Sequence, residues 1–231
     1  LDHDGGGGDG EYYNGISGFQ WTPIMGNYWP GDNWANALYQ WSKGEYTGAS
    51  NQQNDYNLIT NYLGYEPDDI VNSKKIVFSG NSNDQVLSDN NFGLIEKNTD
   101  SDVFTFSIGS GGGNASITVD RVGHIGGAML DVYAEIRDGS NNLVESKNPT
   151  KSRKAVFNVN LSSGSYSLII KGGAEGTPSN GFSNFGSIGY YSIAGTISGA
   201  SSGVTPPTIT SHPSNKTVTV GQTATFSVTA S

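Results

Sequence analysis

The chain has 231 residues, of which 34% are apolar and 33 are glycine, with a net charge of -9 and no cysteine. The missing thiols exclude a disulfide scaffold and thiolate metal sites, the acidic balance argues against a nucleic-acid footprint, and no apolar run approaches the length of a membrane span. Few charges and much glycine favour turns and β-structure, and 12 Tyr, 9 Phe and 4 Trp supply bulk for a core.

Three textures follow one another along the chain. Residues 1–72 are rich in Trp, Tyr and Asn. They open at Leu1 rather than Met, which reads as the remainder of a longer protein. Their one convincing helix is "NDYNLITNYLGY". Asn54 is placed to cap it, Gly64 to end it, and Tyr56, Ile59 and Leu63 share a face. The stretch 68–98 carries "DD", "NSND" and "SDNN", a polar connection with irregular strands.

From 99 to 198 the pattern is all-β. "DVFTFSI", "ASITVDRV", "LDVYAEIRD", "NLVES", "AVFNVNL", "SYSLIIK" and "GYYSIAGTI" are short strands bounded by Gly, Asn, Asp and Ser. "DGSNN" and "LSSGS" are turn sequences at antiparallel spacing. Such a series predicts an antiparallel, jelly-roll-like β-sandwich over 73–198. Residues 199–207 form a Gly/Ser/Pro linker. Beyond it, "TVTVGQTATFSVTA" predicts two strands joined at Gly221, the first part of a further sandwich over 208–231. The fold class is therefore mainly β, with an α+β segment in front.

Candidate chemistry is sparse. His124 sits in a Gly-rich turn and His212 beside the linker, neither with a partner at metal-ligand spacing. "GGGGDG" lacks the Gly-Lys-Ser/Thr of a phosphate loop and the repeats of a calcium β-roll, so it reads as a loop. His3 differs by its company: "LDHD" precedes "WTPIMG", "QWSKGEY" and "GASNQQND". In this order the blocks resemble the C-terminal part of the catalytic domain of secreted bacterial zinc proteases related to the reprolysin-type metzincins. The resemblance covers about residues 1–65 and implies an incomplete α+β subdomain. It makes His3 the third zinc ligand, closing a string His-Glu-x-x-His-x-x-Gly-x-x-His of which Leu1 and Asp2 are the last variable pair. It makes Met25 the methionine of the turn beneath the metal, and Asp4 a support of that site. It gives Tyr28, Trp29 and Trp34 to the substrate pocket, with ordinary core as the alternative. The first two zinc histidines and the general-base Glu are not in this sequence, so this chain by itself is expected to be inactive, as a fragment of a zinc metallopeptidase that acts on protein or peptide substrates.

The strings "TDSDVFTFSIGSGGGNASITV", "LSSGSYSLIIKGG" and "NGFSNFGSIGYYSIAG" resemble the bacterial pre-peptidase C-terminal domain. That likeness implies a secreted, extracellular protein, contact with substrate, matrix or polymer, and in some members calcium. Asp100, Asp102 and Asp131 are then candidate calcium ligands, against the alternative of solvated strand-end acids. The last 26 or so residues resemble the start of an immunoglobulin-like module. Against the peptidase stands a second function class, a non-enzymatic extracellular binding or adhesion module.

Overall fold

The computed structural model describes residues 1–6, 12–27, 36–79, 82–123, 129–177, 179–200 and 209–230. The chain forms two compact units, Leu1–Ser201 and Ser202–Ser231. The boundary expected at residue 72 falls inside the first.

That unit begins with two short strands, β1 (Trp21–Pro23) and β2 (Leu38–Gln40), paired in parallel. Helix α1 (Asp55–Leu63) follows. The Asn54 side chain accepts from Asn57 N–H at 2.9 Å, and Gly64, at φ 76°, returns its N–H to the Thr60 carbonyl. The stripe predicted for this helix is only partly used. Tyr56 is buried, but Leu63 is 82% exposed. The helix packs through its first turn, where Asp55 accepts from Ser42 N–H at 3.1 Å and Tyr56 meets Phe185.

Two sheets then form a sandwich. The strands are β3 (Lys74–Lys75), β4 (Phe78–Ser79), β5 (Ser82–Val86), β6 (Phe92–Ile95), β7 (Asp102–Ile108), β8 (Gly113–Arg121), β9 (Val132–Asp138), β10 (Leu143–Lys147), β11 (Lys154–Leu161), β12 (Gly164–Gly172) and β13 (Gly189–Ile197). One sheet runs β10-β9-β12-β7-β3 and the other β11-β8-β13-β5-β4, with β6 also on β13. Pairing is antiparallel except between β3 and β7. Side chains alternate inward as the pleat requires. Asp102, Phe104, Phe106 and Ile108 of β7 all point into the core, and Val103 points away from it. Phe104, Phe106 and Ile108 meet Leu168 and Ile170 of β12, Ile117 and Val119 of β8, Phe157 of β11, and Tyr191 and Ile193 of β13 in one buried cluster. The β9–β10 turn is fixed by Asp138, whose carboxylate accepts from Ser140 N–H, Asn142 N–H and the Asn142 amide, with Asn141 at φ 65°.

In the second unit, β14 (Ile209–Ser211) pairs with β15 (Thr229–Ala230). The turn at Gly221 is present, closed by Gln222 N–H to the Thr219 carbonyl, but no strand is formed over 212–228. Val218, Val220, Phe226 and Val228 are exposed. Alternation predicts strands only where a second layer covers the apolar face, and two strands alone cannot supply one.

Candidate functional site

An acidic cluster sits where the chain enters the sandwich. Asp100 precedes β7 and Asp102 begins it; Asp68 comes from the connection after α1. One carboxylate oxygen from each lies within 4.8 Å of the others. Asp102 is fully buried at an inward position of β7. Its Oδ2 accepts from the Tyr191 hydroxyl at 2.5 Å, while its Oδ1 has no hydrogen-bond partner. Asp100 Oδ2 is likewise buried and without one. Asp68 uses Oδ1 to accept from Ile70 N–H at 2.8 Å, and Asp69 beside it accepts from Leu94 N–H at 3.1 Å. Gly93 leaves the space: a Cβ there would lie 2.3 Å from the Tyr191 hydroxyl and 2.8 Å from Asp102 Oδ2.

The electrostatics follow from burial. Loss of water pushes the Asp102 carboxyl up to about 7, against the Tyr191 hydrogen bond, with Asp100, Asp69 and Asp68 adding repulsion. Burial and the neighbouring Glu96 push Asp100 up to about 7 as well. Buried acceptors without donors are costly, and a hard divalent cation is the group that would relieve several at once. Three carboxylates and no nitrogen or sulfur make a donor set suited to calcium rather than to zinc.

Of the aspartates singled out from sequence, the structure brings together Asp100 and Asp102 and puts Asp131 elsewhere. Asp131 is buried in an ion pair, its Oδ1 3.2 Å from Arg153 Nη1. Burial raises it to about 6, and Arg153 works the other way. Asp68 completes the cluster instead. In the sequence it is only one of the "DD" pair in a polar connection, and nothing local marks it as a partner of a strand that starts at Asp102.

A second constellation surrounds His3. Residues 2–6 run between the turn Pro23–Gly26 and the loop 46–53. Asp4 N–H donates to the Met25 carbonyl at 3.0 Å, and Gly26 N–H closes the turn on the Pro23 carbonyl at 3.0 Å. Ile24 N–H reaches the Gln40 carbonyl, tying the turn to β2. From the other side, Ser50 N–H donates to the Gly5 carbonyl and the Asn51 amide to the His3 carbonyl at 3.3 Å. Gln53 exchanges two hydrogen bonds with Asp2, at 2.9 and 3.0 Å. The blocks "WTPIMG", "QWSKGEY" and "GASNQQND" thus meet on one short segment. His3 itself is exposed, its Nε2 3.5 Å from the Tyr12 hydroxyl and its ring 4.5 Å from that of Tyr12. Asp4 next to it is buried, and burial followed by Asp55 pushes its carboxyl up to about 7. Tyr28, Trp29, Trp34 and His124 lie outside the described residues. His212 is exposed in the second unit.

No family model and no curated protein match the chain. Among solved structures it is similar to the pre-peptidase C-terminal domain of a collagenase from Bacillus anthracis, 18% identical, over 55% of this chain and 95% of that one, at a TM-score of 0.35.

Proposed function

We propose that this chain is the zinc-side end of a secreted metalloendopeptidase catalytic domain joined to a calcium-stabilised β-sandwich. The observation that carries the reading is the hydrogen bond from Asp4 N–H to the Met25 carbonyl. It seats the residue after His3 directly on the methionine turn, where a third imidazole ligand has to be held. When three imidazoles hold it, zinc lowers the pKa of its bound water to about 7 and polarises the scissile carbonyl. His3 fits the role of one ligand: it is exposed, on a backbone pinned from both sides. The chain's own part is to hold that ring in place. The Tyr46 hydroxyl donates to Asp4 and to the Gly5 carbonyl, and the Pro23–Gly26 turn holds the Asp4 N–H, so the backbone that carries His3 is fixed. A lone imidazole binds zinc weakly, so this chain by itself is expected neither to retain zinc nor to cleave peptides.

The test is the parent protein. Its sequence before Leu1 is expected to read His-Glu-x-x-His-x-x-Gly, and it is expected to hydrolyse peptides. His3→Ala is expected to abolish hydrolysis, and Met25→Leu to cost far less, because Met packs and does not ligate. Full activity in His3→Ala would overturn the reading.

In the sandwich, Asp68, Asp100 and Asp102 would hold the calcium. The orphaned oxygens of Asp100 and Asp102 support this part. One observation favours the binding-module reading as well. Phe92 and Tyr190 are 49% and 57% exposed and, with Val122, line an open groove of about 310 Å³. An aromatic surface of this kind suits an extracellular matrix or polymer. Loss of binding to such a polymer in Tyr190→Ala, with the fold kept, would be its signature.

A further inference from the structure

Several side chains of the sandwich reach into the N-terminal segment, Arg153 among them. Arg153 lies just before β11 and is 3% exposed. All three of its nitrogens donate. Nη1 meets the carboxylates of Asp131 and Glu175. Nε donates to the Asn36 carbonyl at 3.0 Å, and Nη2 to the Phe19 carbonyl. Phe19 and Asn36 each stand two residues before a strand of the parallel pair, whose register begins Trp21 opposite Leu38. One rigid fork therefore holds the starts of both strands.

The surroundings repeat the arrangement. Arg121 of β8 donates to the Ala37 carbonyl at 3.3 Å. Gln40 of β2 donates to the Met129 carbonyl at 2.7 Å and accepts from Trp21 Nε1 at 2.8 Å. Between β12 and β13, Phe182 lies under the Arg153 guanidinium, 5.5 Å away, and stacks on Trp21 with the rings 12° apart. Gly186 abuts Gln40 so closely that a Cβ would sit 2.5 Å from the Gln40 Cβ.

A parallel pair of three residues per strand cannot hold its own register. This one carries the Pro23–Gly26 turn on its far end, and the turn carries Asp4. We propose that Arg153 is a positioning residue. It sets the register of β1 on β2 and through them the height of the turn under His3, so that the sandwich is a working part of the catalytic fold and not a detachable appendage. What the held turn is for rests on the metallopeptidase reading; the clamp itself does not. Lysine cannot replace the fork. Its ammonium can satisfy the two carboxylates, but it is a single point and cannot hold two carbonyls from separate strands.

Site-resolved amide hydrogen exchange on this 231-residue chain tests the clamp. In Arg153→Lys, the amides of Leu38, Ile24 and Asp4 are expected to exchange about tenfold faster or more, the equivalent of one lost charge-assisted hydrogen bond. Amides of β7, β8 and β12 are expected to keep their protection. Arg153→Met is expected to give the same pattern more strongly; if it does not fold, Arg153→Lys decides. Unchanged exchange at Leu38, Ile24 and Asp4 would overturn the proposal. So would an equal loss throughout the sandwich, which would make Arg153 a general stabiliser only. In the parent protein, Arg153→Lys is expected to lower kcat with KM kept. An inactive parent would remove the peptidase reading and leave the exchange result standing.

Discussion

Asp102→Asn separates charge from shape at the acidic cluster. The amide keeps the outline of the carboxylate and can still accept from the Tyr191 hydroxyl, but it carries no charge. In the metal-free protein the Asp102 carboxyl sits at about 7 against a reference of 3.8. A raised carboxyl pKa means that the fold favours the protonated form. The contribution is fully present below about pH 4 and is lost as pH rises through about 7. A shift of this size corresponds to about 4 kcal/mol, an upper figure because Asp100 titrates beside it. Metal-free protein is therefore expected to lose stability from pH 4 to pH 7. At pH 8 without calcium, Asp102→Asn is expected to be the more stable protein, each kcal/mol moving Tm by about 2–4 °C for a unit of this size. Calcium is expected to narrow this gap. At a hundred times its Kd it would add about 2.7 kcal/mol to the parent chain, and the variant is expected to respond little. Calorimetry at pH 5 and pH 8, each with calcium and with chelator, reads all of this. The reasoning fails if metal-free Asp102→Asn melts below the parent at pH 8, or if calcium raises both equally.

Two further substitutions address the sandwich alone. Phe157→Ala empties a fully buried position between the sheets and is expected to cost about 3–5 kcal/mol in denaturant unfolding. Gly195→Ala meets a φ of 138° and would put a Cβ 2.2 Å from the Ser116 carbonyl oxygen; a loss of more than about 1 kcal/mol is expected from thermal melts. A neutral result would mean that β13 and β8 can separate there at no cost.

The strands of the sandwich were legible because each has one covered face. "SYSLIIK" reads directly as Tyr166, Leu168 and Ile170 in, Ser167, Ile169 and Lys171 out, and the observed burial agrees. The same rule misleads over 212–228, where alternation has no second layer to answer it, and at Leu63, where the helix is held by one end. The acidic cluster was half legible. Asp102 falls at an inward position of a strongly apolar strand, which is a signal in itself. Asp68 gives none, because its role depends on a contact across the fold. Arg153 was invisible: "TKSRK" reads as a solvated charged turn, and only the tertiary structure shows two strands starting beside its guanidinium. The convergence of "WTPIMG" and "GASNQQND" on residues 2–6 likewise needs the folded chain.

The place of β13 has a consequence for how the protein is made. It is the last strand of the first unit, yet it lies in the middle of its sheet, bonded to β8 on one side and shared between β5 and β6 on the other. While the chain is being synthesised, β5, β6 and β8 have no common neighbour until residues 189–197 emerge. The N-terminal segment waits with them, since Phe182 and Gly186, which close over Trp21 and Gln40, come from the stretch just before. The unit therefore cannot assemble from its N-terminus forward. Until its end is released, its apolar strands remain exposed to whatever holds nascent chains apart.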